Sequence, residues 1–261
     1  MLKIEDLSVC YPGNQLASLT DFHLTMKPGE IVGIVGESGS GKSTVLKAIL
    51  GALPKQTKIL GEIKLEGDSL LQQTSEQWQK IRGTQLSLIF QDSSSALNPI
   101  RKIGTQYEEY ILQHECLSKE EAQGKAKDML LKMRLPDPES IMDSYPHQLS
   151  GGMCQRVGIA MAMTFTPQLL LADEPTSALD VVTQQQIVEE LLRVRKIYNT
   201  SILLVTHNLA MAAYMTDHLV VMEKGKIVDC GAVLEVLKTP QSAYTRKLLA
   251  AVPELGGERC G

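Results

Sequence analysis

Residues 36–44 read GESGSGKST, and they follow directly on the apolar run EIVGIVG of residues 30–36. The next stretch, KSTVLKAILGAL at residues 42–53, has apolar residues at helical spacing, so the order strand, glycine-rich loop, helix is predicted. Glycines permit backbone angles at which successive N–H groups point at one anion, and the N-terminus of a helix adds positive charge. The spacing Gly-x4-Gly-Lys-Ser therefore predicts a phosphate-binding loop.

Each polar position of this loop has an expected role. Lys42 would reach the β- and γ-phosphates of a nucleotide, the Ser43 hydroxyl would bind Mg²⁺, and Thr44 would support the α-phosphate. The alternative is a chance glycine turn, and the position between an apolar strand and a helix argues against it. The residues expected to contact the nucleotide are Gly36, Glu37, Ser38, Gly39, Ser40, Gly41, Lys42, Ser43 and Thr44.

Two further apolar runs indicate a parallel sheet. QLLLADEP at 168–175 and TSILLVTH at 200–207 are predicted to be buried strands, and QQQIVEELLRVRKIY at 184–198 has helical periodicity. Buried strands that alternate with amphipathic helices are typical of an α/β fold with both faces of the sheet covered. The stretch 217–229 predicts a hairpin that turns at Gly225.

Strand-like runs vanish between residue 93 and residue 164. SKEEAQGKAKDMLLKM at 118–133 and GGMCQRVGIAMAM at 151–163 have helical spacing, which predicts a helical subdomain inserted into the α/β core. Another short helix is expected to begin after Thr74, which stands at capping-box spacing from Gln77.

The composition is that of an ordinary globular protein. Of 261 residues, 43% are hydrophobic and 21% are charged, and the net charge is −4. No block of Lys and Arg stands out, which disfavours a nucleic-acid partner. The most apolar region, 157–172, is interrupted by polar residues and is too short for a membrane span, and the N-terminus lacks a signal-peptide pattern. The five cysteines include no CxxC pair, which favours free thiols over a disulfide or zinc framework.

Two adjacent acids end the predicted strand at 168–175. Asp173 would hold Mg²⁺ through water, and Glu174 would polarise a water molecule aimed at the γ-phosphate. Adjacent acids after a strand can instead cap the next helix, but the glycine loop upstream favours the catalytic interpretation. The sequence therefore predicts hydrolysis of the nucleotide as well as its binding.

LSGGMCQR at residues 149–156 resembles the LSGGQ signature of the ATP-binding subunits of ABC transporters, with Met153 in place of the usual glutamine. The resemblance extends over essentially the whole chain. It implies an α/β fold with a P-loop NTPase (RecA-like) core, an antiparallel β subdomain and an inserted α-helical subdomain. The implied divisions are an ATP-binding domain of 1–240, made of a core at 1–92 and 165–240 and a helical subdomain at 93–164, and a short C-terminal tail at 241–261.

The resemblance also implies roles for single residues. Gln91, in LIFQD, matches the glutamine that senses Mg²⁺ and the attacking water. His207 matches the switch histidine at the γ-phosphate, although a lone histidine after a strand is often structural. Tyr11 matches the aromatic residue that stacks on adenine, and an aromatic residue at a strand end is the simpler alternative. Asp180 ends the SALD loop, by which two subunits of the family touch.

The signature implies that one copy of the chain is not enough. In the family's arrangement Ser150, Gly151 and Gly152 close over the ATP held by a facing subunit, so that each site is built from two chains. A related, non-identical ATPase subunit is the expected partner, and a homodimer is the alternative.

Three stretches resemble the peptide/nickel import branch of the family: SALNPIRKIG at 95–104, SYPHQLSGGM at 144–153 and PQSAYTRKLLAAVPEL at 240–255. This resemblance implies two integral-membrane permease subunits, an extracytoplasmic substrate-binding protein and a location on the cytoplasmic face of the cell membrane. Peptides, nickel and metal–metallophore complexes stay open as the cargo. Longer members of the branch carry a C-terminal cysteine cluster for an iron–sulfur centre, whereas the lone Cys260 predicts none here.

Two further expectations concern partners. The segment after Gln91, centred on Leu97, Asn98 and Pro99, is expected to receive a cytoplasmic helix of the permease, with Leu97 and Ile100 as its apolar contacts. The alternative function is a soluble ABC ATPase that acts on nucleic acid or ribosomes. Such proteins usually carry two cassettes or a long coiled-coil insertion, and the sequence has neither.

Overall fold

A computed structural model describes residues 1–177 and 179–251. The ten strands of these residues are β1 (Leu2–Cys10), β2 (Leu19–Met26), β3 (Ile31–Val35), β4 (Lys58–Leu65), β5 (Asp68–Ser69), β6 (Leu86–Ile89), β7 (Leu169–Asp173), β8 (Ser201–Thr206), β9 (His218–Glu223) and β10 (Lys226–Ala232). The eleven α-helices of the same residues are α1 (Lys42–Ile49), α2 (Ser75–Ile81), α3 (Ser93–Ala96), α4 (Ile103–His114), α5 (Lys119–Lys132), α6 (Pro138–Asp143), α7 (Gly151–Met163), α8 (Val181–Tyr198), α9 (Leu209–Met215), α10 (Val233–Lys238) and α11 (Ala243–Ala250).

A six-stranded sheet forms the centre of the fold, in the order β10-β9-β3-β8-β7-β6. Its strands are parallel except β10, which pairs antiparallel with β9. Successive residues of the central strands pack into two different apolar clusters: Leu170 and Ile202 belong to one, Leu169 and Leu203 to the other. Because side chains alternate between the faces of a strand, both faces of the sheet are covered. The predicted parallel sheet is confirmed.

Strands β1, β2, β4 and β5 form a second sheet, which is antiparallel and has the order β2-β1-β4-β5. Its buried side chains, among them Leu2, Phe22 and Ile63, share one apolar cluster with Leu169 and Leu203 of the six-stranded sheet. This sheet is the antiparallel β subdomain that the family resemblance implied.

Helices α3 to α7 lie within residues 93–163, which the structure describes in full and which contain no strand. Tyr107 of α4, Ala126 of α5 and Val157 of α7 are fully buried in one cluster. The Tyr107 hydroxyl lies 2.8 Å from the hydroxyl of Thr164, which satisfies both buried groups. The helical character predicted for this stretch is confirmed, while the division of the chain at residues 93 and 164 stays a prediction.

Local sequence signals set several ends of the elements. Thr74 caps α2 in a capping box with Gln77, as predicted. The chain turns between β9 and β10 at Gly225, which has φ 79, so the predicted hairpin is also confirmed. The helix predicted over 42–53 is shorter in the structure, because Gly51 takes φ 61 and ends it.

Within the described ranges no helix combines the length and the apolar character that crossing a bilayer requires. Cysteines there are free thiols: Cys10, Cys116, Cys154 and Cys230. Cys260, on which the expectation about an iron–sulfur centre rests, lies outside the described residues.

Candidate active site

The glycine-rich loop of residues 36–44 connects β3 to α1. A Cβ atom on Gly36 would lie 2.3 Å from the carbonyl oxygen of Met222 in β9, so that strand presses on the loop from one side. Gly41, the residue before α1, has φ 105, an angle that favours glycine. A Cβ atom on Gly39 would meet nothing within 4 Å, so the opposite side of the loop is open.

Lys42 folds back onto the loop that carries it. Its Nζ donates hydrogen bonds to the carbonyl oxygens of Gly36, at 2.8 Å, and Glu37, at 2.9 Å, and the side chain is buried. Burial lowers the pKa of Lys42, and the carboxylates of Glu174 and Asp173 oppose this shift because they favour the charged ammonium. The cation is therefore held at the mouth of the loop and faces two acids.

A cavity of about 430 Å³ lies beside the loop. It gathers residues that are far apart in the sequence, from the loop itself and from the carboxyl ends of β6 and β7, where ligands bind in open parallel sheets. The lining residues are Ser18, Ser38, Gly39, Gly41, Lys42, Ser43, Thr44, Gln91, Asp173 and Glu174. Sequence reasoning missed Ser18, because it precedes β2 in a stretch that carries no motif.

Asp173 and Glu174 stand side by side at the end of β7. Glu174 has the left-handed angle φ 44, and its N–H donates to the carbonyl oxygen of Val205 in β8 at 2.8 Å, which fixes the turn. Burial and the neighbouring Glu174 raise the pKa of Asp173, while Lys42 lowers it. Neither acid caps the next helix, because α8 has Asp180 as its N-cap. The alternative explanation of the acidic pair is therefore wrong.

His207 follows β8 and meets the acidic pair. Its Nδ1 lies 2.9 Å from Oε2 of Glu174. The histidine side chain is 61% exposed, whereas the Glu174 side chain is 18% exposed, so the imidazole covers the carboxylate from the solvent side. A carboxylate positioned by a histidine at the edge of a polar cavity can accept a proton from water.

Gln91 and Tyr11 approach the loop from two other elements. Gln91 follows β6 and lines the cavity. Tyr11 follows β1, and its hydroxyl lies 3.3 Å from Oγ1 of Thr44, at the start of α1. The structure thus brings Tyr11, the glycine loop, Gln91, the two acids and His207 into one neighbourhood, while the chemical role of each stays a prediction.

The signature residues and Asp180 lie outside the cavity beside the glycine loop. Ser150 caps α7 by accepting a hydrogen bond from the N–H of Met153 at 3.2 Å, and none of Ser150, Gly151 and Gly152 lines the cavity. A Cβ atom on Gly152 would lie 2.5 Å from Cγ2 of Thr183. The Asp180 carboxylate accepts hydrogen bonds from the hydroxyl and the N–H of Thr183. These residues share a second surface, at the starts of α7 and α8.

The fold and the cavity together define a P-loop ATPase: a glycine loop at the edge of a parallel sheet, a buried lysine within it and an acid pair facing that lysine. Residues 19–177 match the ABC transporter family, and relatives resemble the chain over almost its whole length. The chain belongs to the ABC transporter family as an ATP-binding, ATP-hydrolysing subunit.

Two curated relatives illustrate this likeness. The oligopeptide transport ATP-binding protein OppD of Bacillus subtilis is 40% identical over 259 residues, which cover 98% of this chain and 72% of the relative. The probable D,D-dipeptide transport ATP-binding protein DdpD of Escherichia coli is 39% identical over 99% of this chain and 80% of its own length. The predicted membership of the peptide/nickel import branch is thereby confirmed.

Solved structures agree with these relatives. The ATP-binding cassette MJ0796, in a dimeric post-hydrolysis state bound to ADP and Pi, is 28% identical and has a TM-score of 0.77; the match covers 89% of this chain and 99% of the cassette. The protein cbiO1 of Clostridium perfringens, part of the transporter complex cbiONQ, is 25% identical with a TM-score of 0.79 over 97% of this chain and 95% of its own length. The predicted fold class is confirmed.

Proposed function

We propose that this chain drives the import of peptides, by hydrolysing ATP on the cytoplasmic face of the cell membrane beneath two permease subunits. The observation that carries the proposal is the identity of 39–40% over nearly the whole chain with transport ATPases for oligopeptides, D,D-dipeptides and glutathione. The glutathione import ATP-binding protein GsiA shows this at 39% over 98% of the chain, which corresponds to 42% of GsiA.

ATP binding follows from the loop geometry. The N–H groups of residues 38–44 and the N-terminus of α1 would hold the phosphates, and Lys42 would exchange its two carbonyl acceptors for β- and γ-phosphate oxygens. Tyr11, at the far end of this loop, would stack on the adenine ring. The phosphates of ATP would therefore replace the carbonyl oxygens of Gly36 and Glu37 as hydrogen-bond acceptors for Lys42.

Mg²⁺ fits the donors of the same cavity. Ser43, Gln91 and Asp173 offer a hydroxyl, an amide oxygen and a carboxylate, and Mg²⁺ is usually bound by one or two carboxylates together with substrate phosphates and water. No cluster of three His, Cys, Asp or Glu side chains among the described residues could hold a metal by itself, which suits an ion that arrives with the nucleotide. When bound, Mg²⁺ neutralises charge on the phosphates.

Hydrolysis would use Glu174 as general base. Its carboxylate takes a proton from a water molecule as the water oxygen attacks the γ-phosphorus, and ADP leaves with its β-phosphate oxygen. His207, at 2.9 Å, orients the carboxylate, and Gln91 lines the same cavity. Glu174, His207 and Gln91 are thus the proposed catalytic residues.

The exposed signature completes the site of a second chain. Ser150 and Gly151 are exposed at the start of α7, and the related cassette MJ0796 is dimeric. We place Ser150, Gly151 and Gly152 against the γ-phosphate of ATP on the facing subunit, with Asp180 at the contact between the two chains. A paralogous ATPase is the proposed partner, and an identical copy is the alternative.

A separate apolar groove offers a place for the permease. Its volume is about 510 Å³, and it lies between β6 and the helices α3 and α7, next to Gln91. Leu97 lines this groove and is 7% exposed, whereas Phe90 is 50% and Ile100 is 82% exposed. We propose that a cytoplasmic helix of the permease docks here, where the core (1–92 and 165–240) meets the proposed helical subdomain (93–164). Leu97, expected to be an apolar contact of that helix, lines the groove with little exposure, and its contact with the permease stays a proposal.

Cross-linking tests the docking. Ile100→Cys, in a complex whose permease loops carry single cysteines, should form a disulfide with the permease, since Ile100 is exposed and follows closely on Leu97, which lines the groove. The control is Leu131→Cys on α5, a side chain of 51% exposure that does not line the groove. Equal cross-linking of both variants, or none with Ile100→Cys across all permease loops, would contradict docking at this groove.

Thermal unfolding of the extracytoplasmic binding protein from the same operon tests the cargo. Di- and oligopeptides should raise its unfolding temperature, because a ligand that binds the folded state stabilises it. A rise with Ni²⁺ chelates alone would move the cargo to nickel or a metallophore complex. Neighbouring genes that encode neither a permease nor a binding protein would favour the soluble alternative.

A further inference from the structure

Tyr244 of α11 reaches the glycine loop from the other end of the chain. Its hydroxyl oxygen accepts a hydrogen bond from the N–H of Glu37 at 2.9 Å. The same peptide group carries the Gly36 carbonyl, which accepts from Nζ of Lys42 at 2.8 Å. One peptide plane of the loop is therefore fixed on both sides, by Lys42 at its oxygen and by Tyr244 at its nitrogen.

The segment that presents Tyr244 is itself firmly anchored. The buried carboxylate of Asp229 in β10 accepts hydrogen bonds from the N–H of Gln241 and the N–H of Ser242, both at 2.9 Å, and from the hydroxyl of Thr245 at 2.5 Å. The Tyr244 ring packs on an apolar cluster that includes Val35, the last residue of β3 before the loop. The tyrosine is thus held by contacts that are independent of the loop.

The hydrogen bonds from Lys42 and to Tyr244 that hold the Gly36–Glu37 peptide should respond differently when ATP binds. If Lys42 turns to the phosphates, as the proposed function requires, it leaves the Gly36 carbonyl. Tyr244 does not line the cavity, so we expect its hydrogen bond to Glu37 to remain when ATP binds. A loop that is fixed before the ligand arrives loses less conformational entropy on binding.

We propose that Tyr244 is a positioning residue for the phosphate-binding loop: its hydroxyl holds the Gly36–Glu37 peptide in the orientation that binds ATP. The proposal rests on the assignment of residues 36–44 as that loop. It gives the segment after β10 a role in nucleotide affinity, although this segment lies outside the 19–177 match to the family.

The test is Tyr244→Phe, which removes the hydroxyl and keeps the ring. Loss of one neutral hydrogen bond should raise the Kd and the KM for ATP about 2- to 10-fold. The kcat at saturating ATP should stay within about 2-fold, because Tyr244 touches no reacting group. Amide hydrogen exchange in the peptide that contains Glu37 should become faster. The control is Tyr214→Phe on α9, a tyrosine of 73% exposure, which should match the wild type in all these measurements.

Lys42→Ala separates the possible failures. If Lys42→Ala loses ATP binding while Tyr244→Phe has the wild-type Kd, the role of Tyr244 is wrong and the loop assignment stands. If Lys42→Ala binds ATP normally, the loop assignment itself fails. A fall in the kcat of Tyr244→Phe with an unchanged KM would also overturn the positioning role.

Discussion

Two regions of the chain carry the residues assigned to ATP: the cavity beside the glycine loop and the start of α7. The cavity brings several of these residues together within one chain, whereas the start of α7 does not. Around the cavity, groups from separate elements meet within one chain: Lys42 faces Asp173 and Glu174, and Glu174 lies 2.9 Å from His207. At the start of α7 the signature residues lie outside this cavity, and Gly152 instead approaches Thr183 of α8.

This difference between the two regions suggests that ATP binding and ATP hydrolysis have different requirements. The cavity has the glycine loop, the cation and the acid pair, so one chain contains the groups needed to hold ATP. The first N–H groups of a helix have no acceptor within the helix, which favours an anion at the start of α7, but the cavity of the same chain does not include these residues. We infer that ATP binding is a property of the single chain and that rapid hydrolysis requires a facing chain.

The largest effect is expected from Glu174→Gln. The amide keeps the size of the side chain but cannot accept the proton of water, so hydrolysis should fall about 10²- to 10⁴-fold while ATP binding is retained. Phosphate release and ATP binding measured on the same preparation check this. Glu120→Gln, at an exposed position of α5, is the matched control. Hydrolysis within a few-fold of the wild type would show that Glu174 is not the base.

Lys42→Ala should weaken ATP binding by the cavity. Removing a charge-assisted contact to the phosphates should weaken ATP binding about 10- to 100-fold. Calorimetric titration of the single chain measures this, with the exposed Lys55→Ala as the control. An unchanged Kd would mean that the cavity is not the phosphate site, and the contrast between the two regions would lose its basis.

A smaller effect than that of Lys42→Ala is expected at Tyr11. Tyr11→Ala should weaken ATP binding about 5- to 10-fold, the low end for an aromatic ring stacked on a base. Tyr11→Phe keeps the ring and loses only the hydroxyl contact with Thr44, so its Kd should stay near that of the wild type. If both variants bind equally weakly, the hydroxyl rather than the ring face acts, and the adenine assignment fails.

Sequence patterns predicted several elements of the fold correctly, because the residues that determine these elements are neighbours in the sequence. The strand–loop–helix at residues 36–44, the hairpin at Gly225 and the capping box at Thr74 each depend on neighbouring residues. The family signature added the order of the distant motifs. The predicted length of α1 is wrong, because the apolar periodicity continues past Gly51, whose left-handed backbone angle ends the helix.

Contacts that depend on the tertiary fold could not be predicted from the sequence. Ser18 lines the cavity and Tyr244 contacts the loop because of the tertiary fold. Ser18 stands in no motif, and the resemblance of residues 240–255 to the import branch implied no contact between Tyr244 and the loop. The low exposure of Leu97, 7%, could not be predicted either, since an apolar residue in a short connection has no periodicity to show which way it faces.

We expect Ser150 to act on the cavity of the facing chain, and complementation between two variants tests this expectation most directly. Ser150→Arg places a long cation in the signature and should stop hydrolysis at the facing site, while ATP binding by the same chain stays intact. In a homodimer, Ser150→Arg and Glu174→Gln should each be inactive alone.

With a paralogous partner, Ser150→Arg should stop hydrolysis at the partner's site and leave this chain's own site active. Where two identical copies pair, an equimolar mixture of Ser150→Arg and Glu174→Gln is the decisive measurement. Mixed dimers contain one site with an intact Glu174 facing an intact signature. With random pairing, half of the dimers are mixed and each keeps one of two sites, so about a quarter of the wild-type rate should return. The assay is run at a concentration where the wild-type rate rises more than linearly with concentration. A mixture that stays inactive while the wild type turns over, or a Ser150→Arg chain that loses its own ATP binding, would contradict the shared site.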